Sequence, residues 1–318
     1  MKIVVLDGYA LNPGDISWSP VEALGDLTVY ERTVPEQVVE RIGDAPIILT
    51  NKTIISKEVM EACPNLKYVG VLATGYNVVD LEIARQQNIV VTNIPGYSSQ
   101  AVAQFVFALL LEACCHVQQH SDSVHAGEWV TSKDFCYWKS PQIELWGKTL
   151  GIFGYGSIGK SVAAIAQALG MKVVSCTRTP SKIPQDSGIL PLEFDEVLAT
   201  ADVISLHSPR TPPTENLICA TSIAKMKDGV IIINTARGPL VQERDMATAL
   251  KSGKVAWYAT DVVCKEPMAQ DNPLLGIPNC IITPHIAWAT QEARSRLMAI
   301  AADNIKAFQQ GNPVNRVG

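Results

Sequence analysis

Three short segments carry residues whose types could do chemistry together. INTARGPLV (233–241), ATDVVCKEP (259–267) and ITPHIAWAT (282–290) each place a charged or titratable residue shortly after an apolar run: Arg237, Glu266 and His285. Arginine offers a planar fork of donors that can hold a carboxylate and polarise a neighbouring carbonyl oxygen. Histidine titrates near neutrality, so it can give a proton to a forming alkoxide and take it back in reverse. A carboxylate on its other ring nitrogen fixes the tautomer and favours the imidazolium. The three together are what hydride transfer to a 2-keto acid requires. Singly, each has a plainer explanation: His285 follows Pro284 and could be an ordinary loop histidine, and Glu266 before Pro267 a solvated turn residue.

A hydride needs a donor, and the run KTLGIFGYGSIGKSVAAIAQALGMKVVSC supplies a place for one. Gly154, Gly156 and Gly159 have the GxGxxG spacing, which alone is weak. Here the strand LGIF precedes it, a helix opens on it through Ser157 and Ile158, and a second strand follows. The first glycine permits the tight turn, the second lets backbone approach a pyrophosphate, and the third packs helix on strand. The helix's first amides then meet the anion. In such motifs an acid ending the next strand accepts the adenosine ribose hydroxyls. No Asp or Glu occurs from 171 to 185; the strand runs out as VVSCTRTP. Neutral Thr177 removes the repulsion of a 2'-phosphate, and Arg178 can pair with one, with Thr179, Ser181 and Lys182 adding donors. The expected cofactor is NADP in preference to NAD.

Those segments need strands to hold them. Apolar runs rich in β-branched residues (KIVVLD, APIILT, KYVGVL, NIVVTN, LGIFG, KVVSC, DVISLH, GVIIINT, VAWYATDV, CIITP) alternate with helical stretches. This is the pattern of parallel sheets with crossover helices. The length of 318 residues suggests about two domains. One joint falls in NIPGYSSQAVAQ and another just after TPHIAW, with a last helix from about Thr290 to Gln310. The expected fold is α/β with two Rossmann-like parallel-sheet domains. Residues 1–99 and 287–318 would make a discontinuous substrate domain, and 100–286 an inserted dinucleotide-binding domain. Ligands would lie in the cleft between them. The helix AVAQFVFALLLEACCHV is apolar almost all round, which suits a core helix or a subunit interface. We expect a homodimer through the cofactor domain.

Bulk properties narrow the partners. The formal charge of -5 and scattered Lys and Arg give no reason to expect nucleic acid or an anionic membrane. The longest apolar run, FVFALLL, is bounded by Gln104 and Glu112 and cannot span a bilayer. The opening MKIVVLDGYA is too short in apolar residues for a signal peptide and reads as a first strand. The cysteines at 63, 114, 115, 136, 176, 219, 264 and 280 lack paired CxxC spacing, so reduced, mostly buried thiols of a cytoplasmic protein are expected, and no metal site.

The motifs RGPLV, DVxxxEP and PHIAWAT, in this order behind a GxGxxG unit, resemble the D-isomer-specific 2-hydroxyacid dehydrogenases over nearly the whole chain. The resemblance implies that Arg237, Glu266 and His285 are catalytic. It puts Asp261 at the nicotinamide and lines the cofactor with Thr235, Ala236, Arg237, His207, Ser208 and Pro209. VGVLATGYNVVD is similar to the family's substrate loop, whose amides at Ala73, Thr74 and Gly75 would receive a substrate carboxylate, with Tyr76 and Asn77 shaping it. FCYW at 135–138 and Trp288, three residues after His285, look most like the glycerate dehydrogenase (hydroxypyruvate reductase) branch, with Trp288 at the substrate. The implied reaction converts hydroxypyruvate or glyoxylate to D-glycerate or glycolate. Glu266 argues against formate dehydrogenases, which carry Gln there, and no regulatory domain is expected beyond Gly318. Two alternatives stay open: a broad D-lactate-type 2-keto acid reductase, and a nicotinamide-sensing binding protein similar to transcriptional corepressors.

Overall fold

The computed structural model describes residues 1–318, which divide into two compact units: Met1–Ser98 with Trp288–Gly318, and Ser99–Ala287. No single helix is long and apolar enough to cross a membrane.

The first unit holds a five-stranded parallel sheet: β1 (Lys2–Val5), β2 (Asp26–Val29), β3 (Ile47–Thr50), β4 (Tyr68–Val71) and β5 (Val90–Thr92), in the order β2-β1-β3-β4-β5. Both β3 and β4 are buried along their whole length, which suits their mostly apolar residues; Thr50 at the end of β3 donates its hydroxyl to Thr53 O. Chain order reverses between β1 and β3, and there the Asp7 carboxylate accepts the amides of Asn51, Lys52 and Thr53 at 2.6–2.8 Å. The last helix is Gln291–Gln309, started by a Thr290 hydroxyl that accepts the Ala293 amide.

The second unit holds seven parallel strands: β6 (Thr149–Phe153), β7 (Lys172–Cys176), β8 (Ile189–Pro191), β9 (Val203–Leu206), β10 (Val230–Asn234), β11 (Val255–Thr260) and β12 (Cys280–Ile282). Their order is β12-β11-β10-β9-β6-β7-β8, the doubly wound arrangement, with its reversal between β6 and β9. Alternate side chains feed two cores. Leu150, Ile152, Ile231 and Ile233 meet one layer, while Phe153, Ile204, Leu206 and Ile232 meet the other.

Three expectations change. β2 and β8 are absent from the strands read from the sequence; both are edge strands with one flank unpaired, so neither needs a strong apolar pattern. The apolar helix, Ser99–Cys115, spends most of its apolar character on the core, burying Val106, Phe107, Leu109 and Leu110, while Leu111 is 40% exposed. Of the eight cysteines only Cys63 and Cys114 are buried, and Cys136 and Cys264 are exposed; all are free thiols.

Candidate active site

The three reactive segments leave β10, β11 and β12, which are neighbours, from their carboxyl ends. After β10 the chain turns under the control of Asn234. This side chain, fully buried, donates to Arg237 O (3.0 Å) and accepts from Ala236 N (3.1 Å), folding 235–237 into a tight turn. Arg237 emerges exposed, its Nη1 donating to Ala236 O at 2.6 Å. Gly238 follows because nothing larger fits: a Cβ there would sit 2.0 Å from Val263 C and 2.4 Å from Cys264 N. This backbone approach seats the Arg237 turn against the loop carrying Glu266.

That loop is tied from below. Glu243 accepts the Cys264 amide (2.8 Å) through one oxygen and Asn272 Nδ2 (3.0 Å) through the other. Glu266 in turn accepts Val263 N at 3.2 Å with Oε1 and bonds His285 Nδ1 at 2.7 Å with Oε2. The pair is partly open, with side-chain exposures of 38% for Glu266 and 30% for His285, so Nε2 can face a substrate. With Nδ1–H donating to the carboxylate, Nε2 is the atom that carries the exchangeable proton.

His285 has φ of +57°, the left-handed region, which costs a non-glycine residue about 1–3 kcal/mol. Asp261 offsets it. Its carboxylate, 1% exposed, accepts the Thr283 hydroxyl (2.6 Å) and the amides of Ile286 and Ala287 (both 2.8 Å), binding the segment on both sides of the histidine. The structure thus places Asp261 behind His285, with both carboxylate oxygens engaged. Neither this role nor that of Asn234 was read from the sequence; an Asn ending a strand before a small-residue turn was the available signal for the second.

The dinucleotide residues gather at the reversal between β6 and β9. Gly154, at φ +100°, passes so close to β9 that a Cβ would lie 2.8 Å from His207 C and O. Gly159 packs the Ser157–Ala168 helix on the turn, its Cβ position 2.2 Å from Gly154 O. Gly156 between them faces open space, with nothing within 4 Å, where a pyrophosphate would approach the amides of Ser157 and Ile158. Thr235 Oγ1 is buried without a hydrogen-bond partner, an orphan that a ligand group would satisfy. The set fits a dinucleotide. His207 bonds buried Ser205 Oγ through Nε2 at 2.8 Å, and burial pushes its pKa down to about 3, so it lines the site as a neutral ring. Ser208 is half-buried and Pro209 exposed.

At the end of β7, Thr177 and Thr179 are half-buried and Arg178 is exposed. Burial, with a smaller effect from the Glu193 charge, raises the pKa of Cys176 at this strand end. Glu193 is the acid that comes near; it is exposed at the start of the Phe194–Thr200 helix, where its backbone amide donates to Glu196 Oε2 at 2.9 Å.

In the first unit, Ala73 and Gly75 are half-buried and Thr74 is exposed. The carbonyls of Ala73 and Thr74 accept Ile94 N (3.0 Å) and Asn93 Nδ2 (2.8 Å), while the 73–75 amides have no protein acceptor. Trp288, half-buried, belongs to this unit and not to that of His285.

Residues 107–287 match the family profile described as D-isomer specific 2-hydroxyacid dehydrogenase, NAD binding domain. The chain is 54% identical to a hydroxypyruvate reductase of Blautia hydrogenotrophica over 320 aligned residues, covering 100% of this chain and 99% of the relative. It is 43% identical to a glycerate dehydrogenase of Methylorubrum extorquens, covering 99% and 98%. Among solved structures, the TT0316 protein from Thermus thermophilus superposes with a TM-score of 0.88 at 34% identity, with both chains fully covered.

Proposed function

The chain belongs to the D-isomer-specific 2-hydroxyacid dehydrogenases, and on that premise we propose that it reduces hydroxypyruvate and glyoxylate to D-glycerate and glycolate, preferring NADPH. The observation that carries the reading is the Glu266–His285 pair at 2.7 Å, one loop away from Arg237. When bound, the reduced dinucleotide supplies the hydride. The rest falls to side chains. Arg237 turns its fork from Ala236 O to the substrate carboxylate and the carbonyl oxygen. In the first unit, the amides of residues 73–75, which have no protein acceptor, are donors that suit a carboxylate. His285 Nε2 gives its proton to the carbonyl oxygen as charge develops there, and Glu266 stabilises the imidazolium that precedes the transfer. Asp261, which the family resemblance puts at the nicotinamide, serves here by holding the 283–287 segment.

The names of two relatives, a hydroxypyruvate reductase and a glycerate dehydrogenase, support this substrate choice over a D-lactate-type range. NADPH is favoured because β7 runs out without an acid: Thr177 is neutral and Arg178 is exposed. A steady-state panel of hydroxypyruvate, glyoxylate and pyruvate with both reduced cofactors is expected to rank the first two keto acids above pyruvate and NADPH above NADH. Thr177→Asp with Arg178→Ala should then reverse the cofactor order. A protein that binds dinucleotide and reduces none of the three acids would support the corepressor-like alternative; wild-type preference for NADH would refute the cofactor reading.

Two copies associate, in this proposal, through the second unit. The support lies beyond the apolar helix: Val130, Phe135, Trp138 and Trp146 are 71–89% exposed, and a groove of about 580 Å³ is lined by Val117, Val124, Tyr137 and Trp138. So much exposed aromatic surface on one segment marks an interaction face. Sedimentation equilibrium should give the mass of two chains, and Phe135→Lys with Trp138→Lys that of one; a monomeric wild type would exclude the dimer.

A further inference from the structure

The substrate loop's carbonyls are taken up by the segment that leaves β5. Thr74 O accepts Asn93 Nδ2 at 2.8 Å, Thr74 Oγ1 donates to Ile94 O at 2.9 Å, and Ala73 O accepts Ile94 N at 3.0 Å. A peptide plane has its N–H opposite its C=O, so holding these carbonyls inward sets the direction of the amides that follow them, at 74 and 75.

Asn93 is itself held from behind. Its O accepts Asn304 Nδ2 at 3.0 Å, and its N donates to Asn315 O at 3.2 Å. Asn304, fully buried on the last helix, accepts Asn315 Nδ2 through its own Oδ1 at 2.8 Å. Asn315 sits at φ +52°, and the residues after it run along β5, with Thr92 bridged to Arg316 and Val317 N donating to Val91 O. A fully buried amide with each end engaged fixes one geometry, because the alternatives leave polar atoms unsatisfied.

We propose that Asn93, Asn304 and Asn315 form a positioning relay, in which the C-terminal segment and the last helix hold Asn93, and Asn93 holds the Thr74 peptide at the angle that receives a carboxylate. This rests on the proposed role of the 73–75 amides. Asn93 touches neither substrate nor cofactor in this scheme; it acts through the Thr74 carbonyl.

The test uses oxamate, an unreactive isostere of the keto acid, alongside steady-state kinetics of the holoenzyme. Asn93→Ala should raise both the oxamate inhibition constant and the keto-acid KM by about threefold to tenfold, the worth of one orienting hydrogen bond. The kcat and the NADPH dissociation constant should stay within twofold. Asn315→Gly, which the positive φ accepts without strain, should shift oxamate in the same direction by at least twofold. If Asn93→Ala does not fold, Asn93→Asp keeps the volume, loses the donor and should give the same split. Unchanged oxamate binding in the Asn93 or Asn315 variant overturns the relay, as does an equal loss of oxamate and NADPH binding, which would mean general loosening. Gly75→Pro, lacking one amide donor, separates the two ideas. If it leaves oxamate binding unchanged, the role of the 73–75 amides fails; if it weakens binding and Asn93→Ala does not, only the relay fails.

Discussion

Replacing His285 by Asn is expected to lower kcat about 100- to 10,000-fold and to leave dinucleotide binding within twofold, because the proposed general acid is lost and the glycine turn untouched. Asn is the informative substitution. His285 occupies φ +57°, a conformation that Asn tolerates better than Ala, so backbone strain does not confound the result. The Asp261 bonds to Ile286 and Ala287 lie outside the imidazole and persist. Single-turnover kinetics with saturating keto acid and reduced cofactor measure the chemical step directly. Turnover within tenfold of wild type would remove His285 from the mechanism, and with it the meaning attached to the 2.7 Å bond from Glu266.

Arg237→Lys is the second large effect, and its interest is that charge is kept. A lysine ammonium is a point donor, whereas the guanidinium can engage carboxylate and carbonyl oxygen with two N–H groups at once. Losing that fork should cost about 3 kcal/mol or more in transition-state binding, a fall in kcat/KM of more than a hundredfold. Much of it should appear in KM, since the carboxylate is held before the chemistry begins. Arg237 is exposed, and its turn is built by Asn234 and Gly238, so the variant should melt within a few degrees of wild type. A variant with kcat/KM within threefold of wild type would remove Arg237 from the substrate carboxylate.

How far the fold could be read depended on where a strand lies in its sheet. Strands β3, β4, β6, β9 and β10 are buried on both faces, so each is mostly apolar, and their few polar residues, such as Ser205 and Asn234, are buried with hydrogen-bond partners. The edge strands β2 and β8 answer to weaker demands: β2 buries none of its four residues fully, and β8 ends in Pro191. The GxGxxG unit was legible from its spacing between a strand and a helix; Gly159 answers to Gly154 within its own turn, whereas the atoms that leave Gly154 no room for a Cβ belong to His207, across the sheet. By contrast, Asn304 and Asn315 lie more than 200 residues from Asn93 along the chain, and no periodicity connects residues so distant.

Residue types and order alone determined the reactive groups, the phosphate turn and the absence of an acid after β7, since these rest on side-chain chemistry and short-range backbone needs. Only the tertiary structure decided that β10, β11 and β12 are neighbours, so that their outgoing loops converge and Glu266 reaches His285. It also decided that Asp261 turns inward to hold the histidine segment, that most of the apolar helix is buried in the core, and that the exposed aromatics lie beyond it. The physical reason is common to all of these. A side chain's chemistry belongs to the residue, whereas its burial, its partner and the direction it faces are set by elements far away in the chain that close around it.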